Sequence, residues 1–349
     1  MKRRHLLIAG LGAATSGLYW AESLPTPFNG LSAADLAAVD PELRARLKSI
    51  PDRRVAQFQL RYFVGLSRDR TRPTPLAPPY PQPREVFIES PAASGRLRLL
   101  VVDPDPERAD KPAILHVHGG GMVAGSPDSH LLHLQRVAHD LGALIIAPDY
   151  RLAPENPWPA AVDDLSTALR WLVDTSGLQK INRTKIALHG ESAGGGLAAL
   201  LAVAARDKLK IPICCQALIY PMLDDRTGST RPAAPGAGKI LWGPVENKFA
   251  WSAFLGARAG GADVPPGAVP ARIDDLSGLP ATFIGVGSLD LFCREDREFS
   301  ERLRKAGVET TFLEIAGAYH GFEQINPQAA VSTRFEEAWK GFLFRHFTD

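Results

Sequence analysis

Short apolar runs that alternate with stretches of helical spacing constrain this chain more than any other feature. The runs lie at 85–89, 96–102, 113–117, 143–147, 185–189, 213–219, 281–286 and 310–315. Helical patterns cover 129–141, 159–173, 193–207, 295–306 and 329–346; the last places Val331, Phe335, Ala338, Trp339, Phe342 and Leu343 on one apolar face. A strand buried on both faces reads as a short apolar run, and a helix that covers such a sheet is amphipathic. The alternation therefore predicts an α/β fold: a mostly parallel eight-stranded sheet with helices on both faces. In open sheets of this kind, sites form at the carboxyl ends of the strands.

Two regions depart from the rhythm. Residues 35–49 carry Leu36, Val39, Leu43 and Leu47 at helical spacing, with Pro41 early in the predicted helix, and an Arg- and Pro-rich connection follows to about 83. Residues 222–270 are rich in Gly and Pro and hold Trp242, Phe249, Trp251 and Phe254. Together these regions are expected to form a cap over the strand ends. The predicted organisation is thus an extension at 1–30, cap helices and linker at 31–84, and a catalytic domain at 85–349 with a cap insertion near 222–270.

Gly190-Glu191-Ser192-Ala193-Gly194 follows one predicted strand and opens a small-residue helix. A sharp strand-to-helix turn lifts its central serine out of the sheet, and glycines on either side remove the clashes of so tight a turn. The dipole of the following helix favours negative charge there. Ser192 is therefore the candidate nucleophile. His118-Gly119-Gly120-Gly121 follows another strand. Consecutive glycines let backbone N–H groups approach a developing oxyanion, so Gly120 and Gly121, with the N–H of Ala193, are candidate donors.

A serine nucleophile needs a base, and the base needs an orienting acid; on this architecture the chain order is serine, acid, histidine. Only His320 and His346 follow Ser192. His346 lies in the last helix, whereas His320 sits in the loop after the strand at 310–315. Asp290 follows the strand at 281–286 and is the candidate acid. Glu295 and Asp296 are its rivals, expected on the solvated face of the next helix. His118 is expected to hold its glycine loop, Glu191 to accept buried hydrogen bonds, and Arg151 and Glu155 to form a bracing ion pair. His130 and His133 have metal-like helical spacing, but no third ligand lies near them in sequence, so they are expected to be solvated.

These residues together resemble the bacterial hormone-sensitive-lipase-like esterases, family IV of the α/β-hydrolase superfamily. The resemblance rests on His118–Gly121, Tyr150–Glu155, Gly190–Gly195, Asp290-Leu291-Phe292 and Tyr319–Phe322, and runs from about residue 35 to the C-terminus. It implies the α/β-hydrolase fold, hydrolysis of short- to medium-chain acyl esters, no cofactor or metal, and often a homodimer. Glu191 and the pair Cys293-Arg294 depart from the family's usual residues. An amidase or deacetylase would use the same machinery, and a binding protein that has lost catalysis could share the fold.

Forty Lys and Arg against thirty-eight Asp and Glu leave a net charge of +2. Nothing in that balance suggests a nucleic-acid partner. Three cysteines, two of them adjacent, make no disulfide framework or zinc motif. Lys2-Arg3-Arg4 and the uncharged stretch from Leu6 to Ala21 fit either an export signal or a packed helix, so a cytoplasmic and a periplasmic location both stay open. The stretch is shorter than the roughly 18 apolar residues that suggest a membrane span.

Overall fold

The computed structural model describes residues 31–47, 72–91 and 95–348. The extension at 1–30 and the first part of the linker lie outside them.

All eight expected strands form, as β1 (Pro83–Ser90), β2 (Gly95–Val102), β3 (Lys111–Val117), β4 (Leu144–Pro148), β5 (Ile181–Glu191), β6 (Cys215–Ile219), β7 (Ala281–Gly287) and β8 (Thr310–Ile315). They make one sheet in the order β1-β2-β4-β3-β5-β6-β7-β8. β2 runs antiparallel to both its neighbours, and β4 through β8 are parallel.

Alternation along each strand divides the apolar residues between two cores. On one face, Leu115 and Leu188 pack with α4 (Ala160–Asp174), α5 (Ala193–Ala204), α6 (Pro244–Leu255) and α7 (Cys293–Lys305). On the other, Ile114 and Ala187 pack with α3 (Leu131–Leu141) and α8 (Ala330–Thr348). Each face buries a broad apolar surface at about 25 cal/mol per Å², and this burial holds the strand ends that carry the candidate site. No helix among the described residues is long and apolar enough to cross a membrane.

The helix expected over 35–49 is instead broken in two, α1 (Ala33–Ala38) and α2 (Pro41–Arg44). Ser32 and Asp35 form a capping box on α1, whereas Val39 is extended with ψ 138°. Asp40 then caps α2, with Pro41 in its first turn. A proline cannot donate to the preceding turn, so the chain restarts rather than continues. The break has a use: Asp40 N–H donates to Gly317 O at 3.0 Å, docking this pair onto the loop that carries His320. Gly317 has φ +70°, and a Cβ on it would stand 2.6 Å from Asp40 N.

In the segment at 222–270, α6 buries Trp251 and Phe254 in the first core. Leu241 and Trp242, just before it, reach the cavity described next.

Candidate active site

β5 ends at Glu191, and Ser192 then takes φ 56°, ψ −122° before α5 begins at Ala193. A non-glycine residue in this region is strained by about 1–3 kcal/mol and persists only where its surroundings fix it. Here Ser192 N–H donates to Ile219 O at 2.8 Å, and Ser192 O accepts from Met222 N–H at 2.9 Å. The glycines of the motif make room: a Cβ on Gly190 would stand 2.3 Å from Gly194 O, and one on Gly194 would stand 2.0 Å from Val117 O.

His320 comes from the loop after β8. Its Nε2 lies 3.0 Å from Ser192 Oγ, and its Nδ1 lies 2.7 Å from Asp290 Oδ2. Asp290 follows β7 and is fully buried; its other oxygen accepts from Phe292 N–H at 3.0 Å. An ionised carboxylate can only accept, so the network assigns the proton to Nδ1 and leaves Nε2 facing the serine. Tyr220 and Phe292 set their rings edge-on to the imidazole, with centroids 4.7 and 5.3 Å away. Of the three candidate acids, Asp290 is the one that meets His320.

The rivals, Glu295 and Asp296, are not on a solvated face. Both are buried at the start of α7. Glu295 accepts from the backbone of Leu223 and Asp224 at 2.7 and 3.1 Å, fixing the loop after β6. Burial, then the charge of Asp224, pushes its carboxyl well above the usual range. Burial, then Glu295 and Asp290, does the same to Asp296.

Gly119, Gly120 and Gly121 share a cavity of about 370 Å³ with Ser192, His320, Tyr220, Leu241 and Trp242. Gly120 has φ +114° and Gly121 φ +63°. A Cβ on Gly120 would strike Ala124 O at 2.3 Å, and one on Gly121 would strike Trp242 Cη2 at 2.5 Å. Ala193 is the first residue of α5, where N–H groups lack intrahelical acceptors. The third expected donor thus follows the serine directly. His118 stacks on Tyr150 with centroids 4.2 Å apart, and its Nδ1 lies 2.8 Å from Gly119 O. Tyr150 OH donates to His118 O at 2.8 Å, so ring and backbone together brace the glycine loop.

Arg151, one of the two expected bracing residues, has a partner that the sequence did not suggest. Arg151 forks onto Asp164 of α4 with contacts of 2.9–3.2 Å. A carboxylate fixed in a helix presents both oxygens to the guanidinium, the geometry of a bidentate pair.

His130 and His133 are likewise not solvated helix residues. They lie over Glu191, with His130 Nε2 3.1 Å from Oε2 and His133 Nε2 3.5 Å from Oε1. Burial alone would push the Glu191 carboxyl up, but these imidazoles hold it well below the usual carboxylate range. Gln324 donates to Glu191 at 2.8 Å and to Tyr220 OH at 2.9 Å, and Tyr220 OH donates to Glu323. Burial, then the charge of Glu191, raises Glu323 to about 8. Sequence reasoning missed Tyr220, Glu323 and Gln324, and named Trp242 only as part of the expected cap. Tyr220, next after the run at 213–219, and Gln324, four residues past His320, carried a positional signal only.

A family model described as alpha/beta hydrolase fold matches residues 114–324. Esterase LipI of Mycobacterium tuberculosis is 32% identical over 299 residues, which span 83% of this chain and 90% of that protein. An acetyl-hydrolase of Streptomyces hygroscopicus is 33% identical over 239 residues, 68% of this chain and 77% of that protein. Among solved structures, a bacterial heroin esterase matches with a TM-score of 0.78 and 30% identity, covering 89% of this chain and 99% of that one.

Proposed function

The chain belongs to the alpha/beta hydrolase fold family, in its hormone-sensitive-lipase-like branch, and on that premise we propose that it is a serine carboxylesterase acting on short- to medium-chain acyl esters. The unbroken chain from Ser192 Oγ through both nitrogens of His320 to Asp290 carries this reading. The names of the relatives, esterase and acetyl-hydrolase, support the reaction class.

In the proposed mechanism, Ser192 Oγ attacks the ester carbonyl while His320 Nε2 takes its proton. The carbonyl oxygen becomes an oxyanion and accepts from Gly120, Gly121 and Ala193; one such donor is typically worth about 2.7–4 kcal/mol of transition-state stabilisation. Asp290 fixes the Nδ1–H tautomer and stabilises the imidazolium. His320 then protonates the departing alcohol, leaving the acyl group on Ser192. Water, deprotonated by His320, attacks the acyl-enzyme and releases the acid. No cofactor enters these steps.

Leu241, Trp242 and Ile325 give the cavity apolar walls. Each methylene that fits contributes about 0.8 kcal/mol, and each that overfills costs about 1–3 kcal/mol. We therefore read the segment at 222–270 as a cap that limits acyl length. A series of p-nitrophenyl esters tests the proposal. kcat/KM should hold or rise to about six carbons and fall roughly tenfold or more by about twelve, as the methylene gain turns into overpacking. Faster cleavage of p-nitroanilides than of the matching esters would contradict the esterase reading and favour an amidase.

A further inference from the structure

Behind the elbow, three strand residues converge on one spot. β3 and β5 pair in parallel with His116 opposite His189, and Glu191 lies two residues further along β5. Alternation places all three on the α3 and α8 face of the sheet. Their ligating atoms lie within 4.8 Å of one another. His130, just before α3, and His133, in its first turn, overhang the same face beside the Glu191 carboxylate.

From this arrangement we propose a binding site for a divalent transition-metal ion, with His116, His189 and Glu191 as ligands, water completing the coordination and His130 holding the Glu191 carboxylate from outside. Three observations carry it. First, the donors are imidazole nitrogens and one carboxylate, a set that suits Zn²⁺, Co²⁺, Ni²⁺ or Cu²⁺ and not the all-oxygen cations. Second, His116 and His189 are buried to 1% and 2% exposure and turn Nδ1 toward Nδ1, so two ring nitrogens already face one spot. Third, the spacing is close to that of a coordination sphere. His116 Nδ1 lies 2.8 Å from His189 Nδ1, and a Glu191 oxygen lies within 4.8 Å of the pair's ligating atoms. Two ligands on a tetrahedral zinc, with bonds of about 2.0–2.1 Å, stand roughly 3.3 Å apart, so small side-chain rotations suffice.

The Nδ1–Nδ1 contact holds one shared proton, because one ring must donate to the other. A metal ion would replace that proton. An entry path exists: a cavity of about 440 Å³ is lined by His130, His133, Glu191 and Glu336. Glu336 Oε1 stands 3.6 Å from His133 Nδ1, placing a second carboxylate at the mouth. Because Glu191 directly precedes Ser192 and accepts from Gln324, an ion here would tie two strands together at the base of the elbow.

The test uses the full chain without an affinity tag, stripped with a chelator and dialysed against Co²⁺ or Zn²⁺. One equivalent should bind, with half-saturation below about 1 µM for a buried nitrogen-rich site. Co²⁺ should show the intense visible bands of a four-coordinate site, and Zn²⁺ should bleach them. The melting temperature should rise by a few degrees at saturating metal, since the ion binds the folded state. His189→Gln removes a ligand and should weaken binding by roughly a hundredfold or more, and His130→Gln removes the group that orients Glu191 and should weaken it by roughly tenfold. His130 lies at the cavity edge, so its variant keeps the test available even where His189→Gln fails to fold. Absence of uptake at micromolar metal would overturn the site. So would full uptake, with unchanged affinity, by the His130→Gln protein and by any folded His189→Gln protein.

Discussion

Glu191 and Ser192 are consecutive residues, yet they serve two cavities of different character. In front of the elbow, Ser192 faces glycines, Leu241, Trp242 and Ile325 in about 370 Å³. Behind it, Glu191 faces His130, His133, Arg136, Glu323 and Glu336 in about 440 Å³. Strand alternation sends the two side chains to opposite faces, and the positive-φ turn at Ser192 then lifts its Oγ above the sheet edge, while Glu191 and His130 border both cavities. An apolar pocket with few polar groups strengthens each hydrogen bond made to a reacting carbonyl. A polar cavity full of imidazoles and carboxylates settles instead which groups keep their protons.

The front should be sensitive to single atoms. Asp290→Asn keeps the shape of the pair but favours the wrong tautomer of His320. By analogy with serine proteases, kcat should fall on the order of 10⁴-fold, measured on a short ester. A loss under tenfold would remove Asp290 from the account. Gly121→Ala comes next. Its φ of +63° strains any side chain, and the added Cβ meets Trp242 at 2.5 Å. The displaced N–H should cost roughly 10²–10³ in kcat, as removal of an oxyanion donor does. Unchanged kcat in a folded variant would show that this loop holds no oxyanion.

The back should respond to pH through stability. Glu323 is raised to about 8 in the folded protein, from an ordinary value of 4.5, by burial and by Glu191. A raised carboxyl contributes stability that is fully present below the unfolded value and is lost as pH rises through the folded one. The wild-type protein should therefore lose a few kcal/mol between about pH 4.5 and 8 that Glu323→Gln does not lose, since each unit is worth about 1.4 kcal/mol. Urea unfolding of both proteins across this range checks it; parallel curves would mean that Glu323 is ionised throughout. Trp242→Ala should have the smallest effect. It opens one wall of the front cavity, so the preferred acyl chain should lengthen by a few carbons and twelve-carbon esters gain severalfold. An unchanged chain-length profile would place the acyl group against another wall.

The two cavities also differ in how far the sequence foretold them. The front is built from backbone demands. Gly190, Gly194, Gly120 and Gly121 stand where a Cβ would collide, and such demands leave glycines at fixed offsets from a strand. Ser192, Asp290 and His320 each follow a strand end, so the eight apolar runs already placed them on one edge. The back is assembled from distant residues with no local pattern. His116 and His189 meet only because β3 and β5 pair in that register, and His130 and His133 find their carboxylate only once α3 packs on the sheet. Burial misled in the same way at Glu295 and Asp296. Charged residues early in a helix read as solvated, but two backbone N–H groups of the loop after β6 draw Glu295 inward. Arg151 chose Asp164 for a reason equally invisible in sequence, the packing of α4 beside its turn.

Covalent capture of the nucleophile tests the central claim most directly. An organophosphate ester should add one phosphoryl group per chain. Peptide mapping should place it on Ser192, and ester hydrolysis should fall in step with labelling. The Ser192→Ala protein, with an unchanged circular dichroism spectrum, should take up no label and hydrolyse no ester above the uncatalysed rate. A phosphoryl adduct on the folded Ser192→Ala protein, or hydrolysis surviving in it, would contradict the assignment of Ser192 as the residue that attacks the ester.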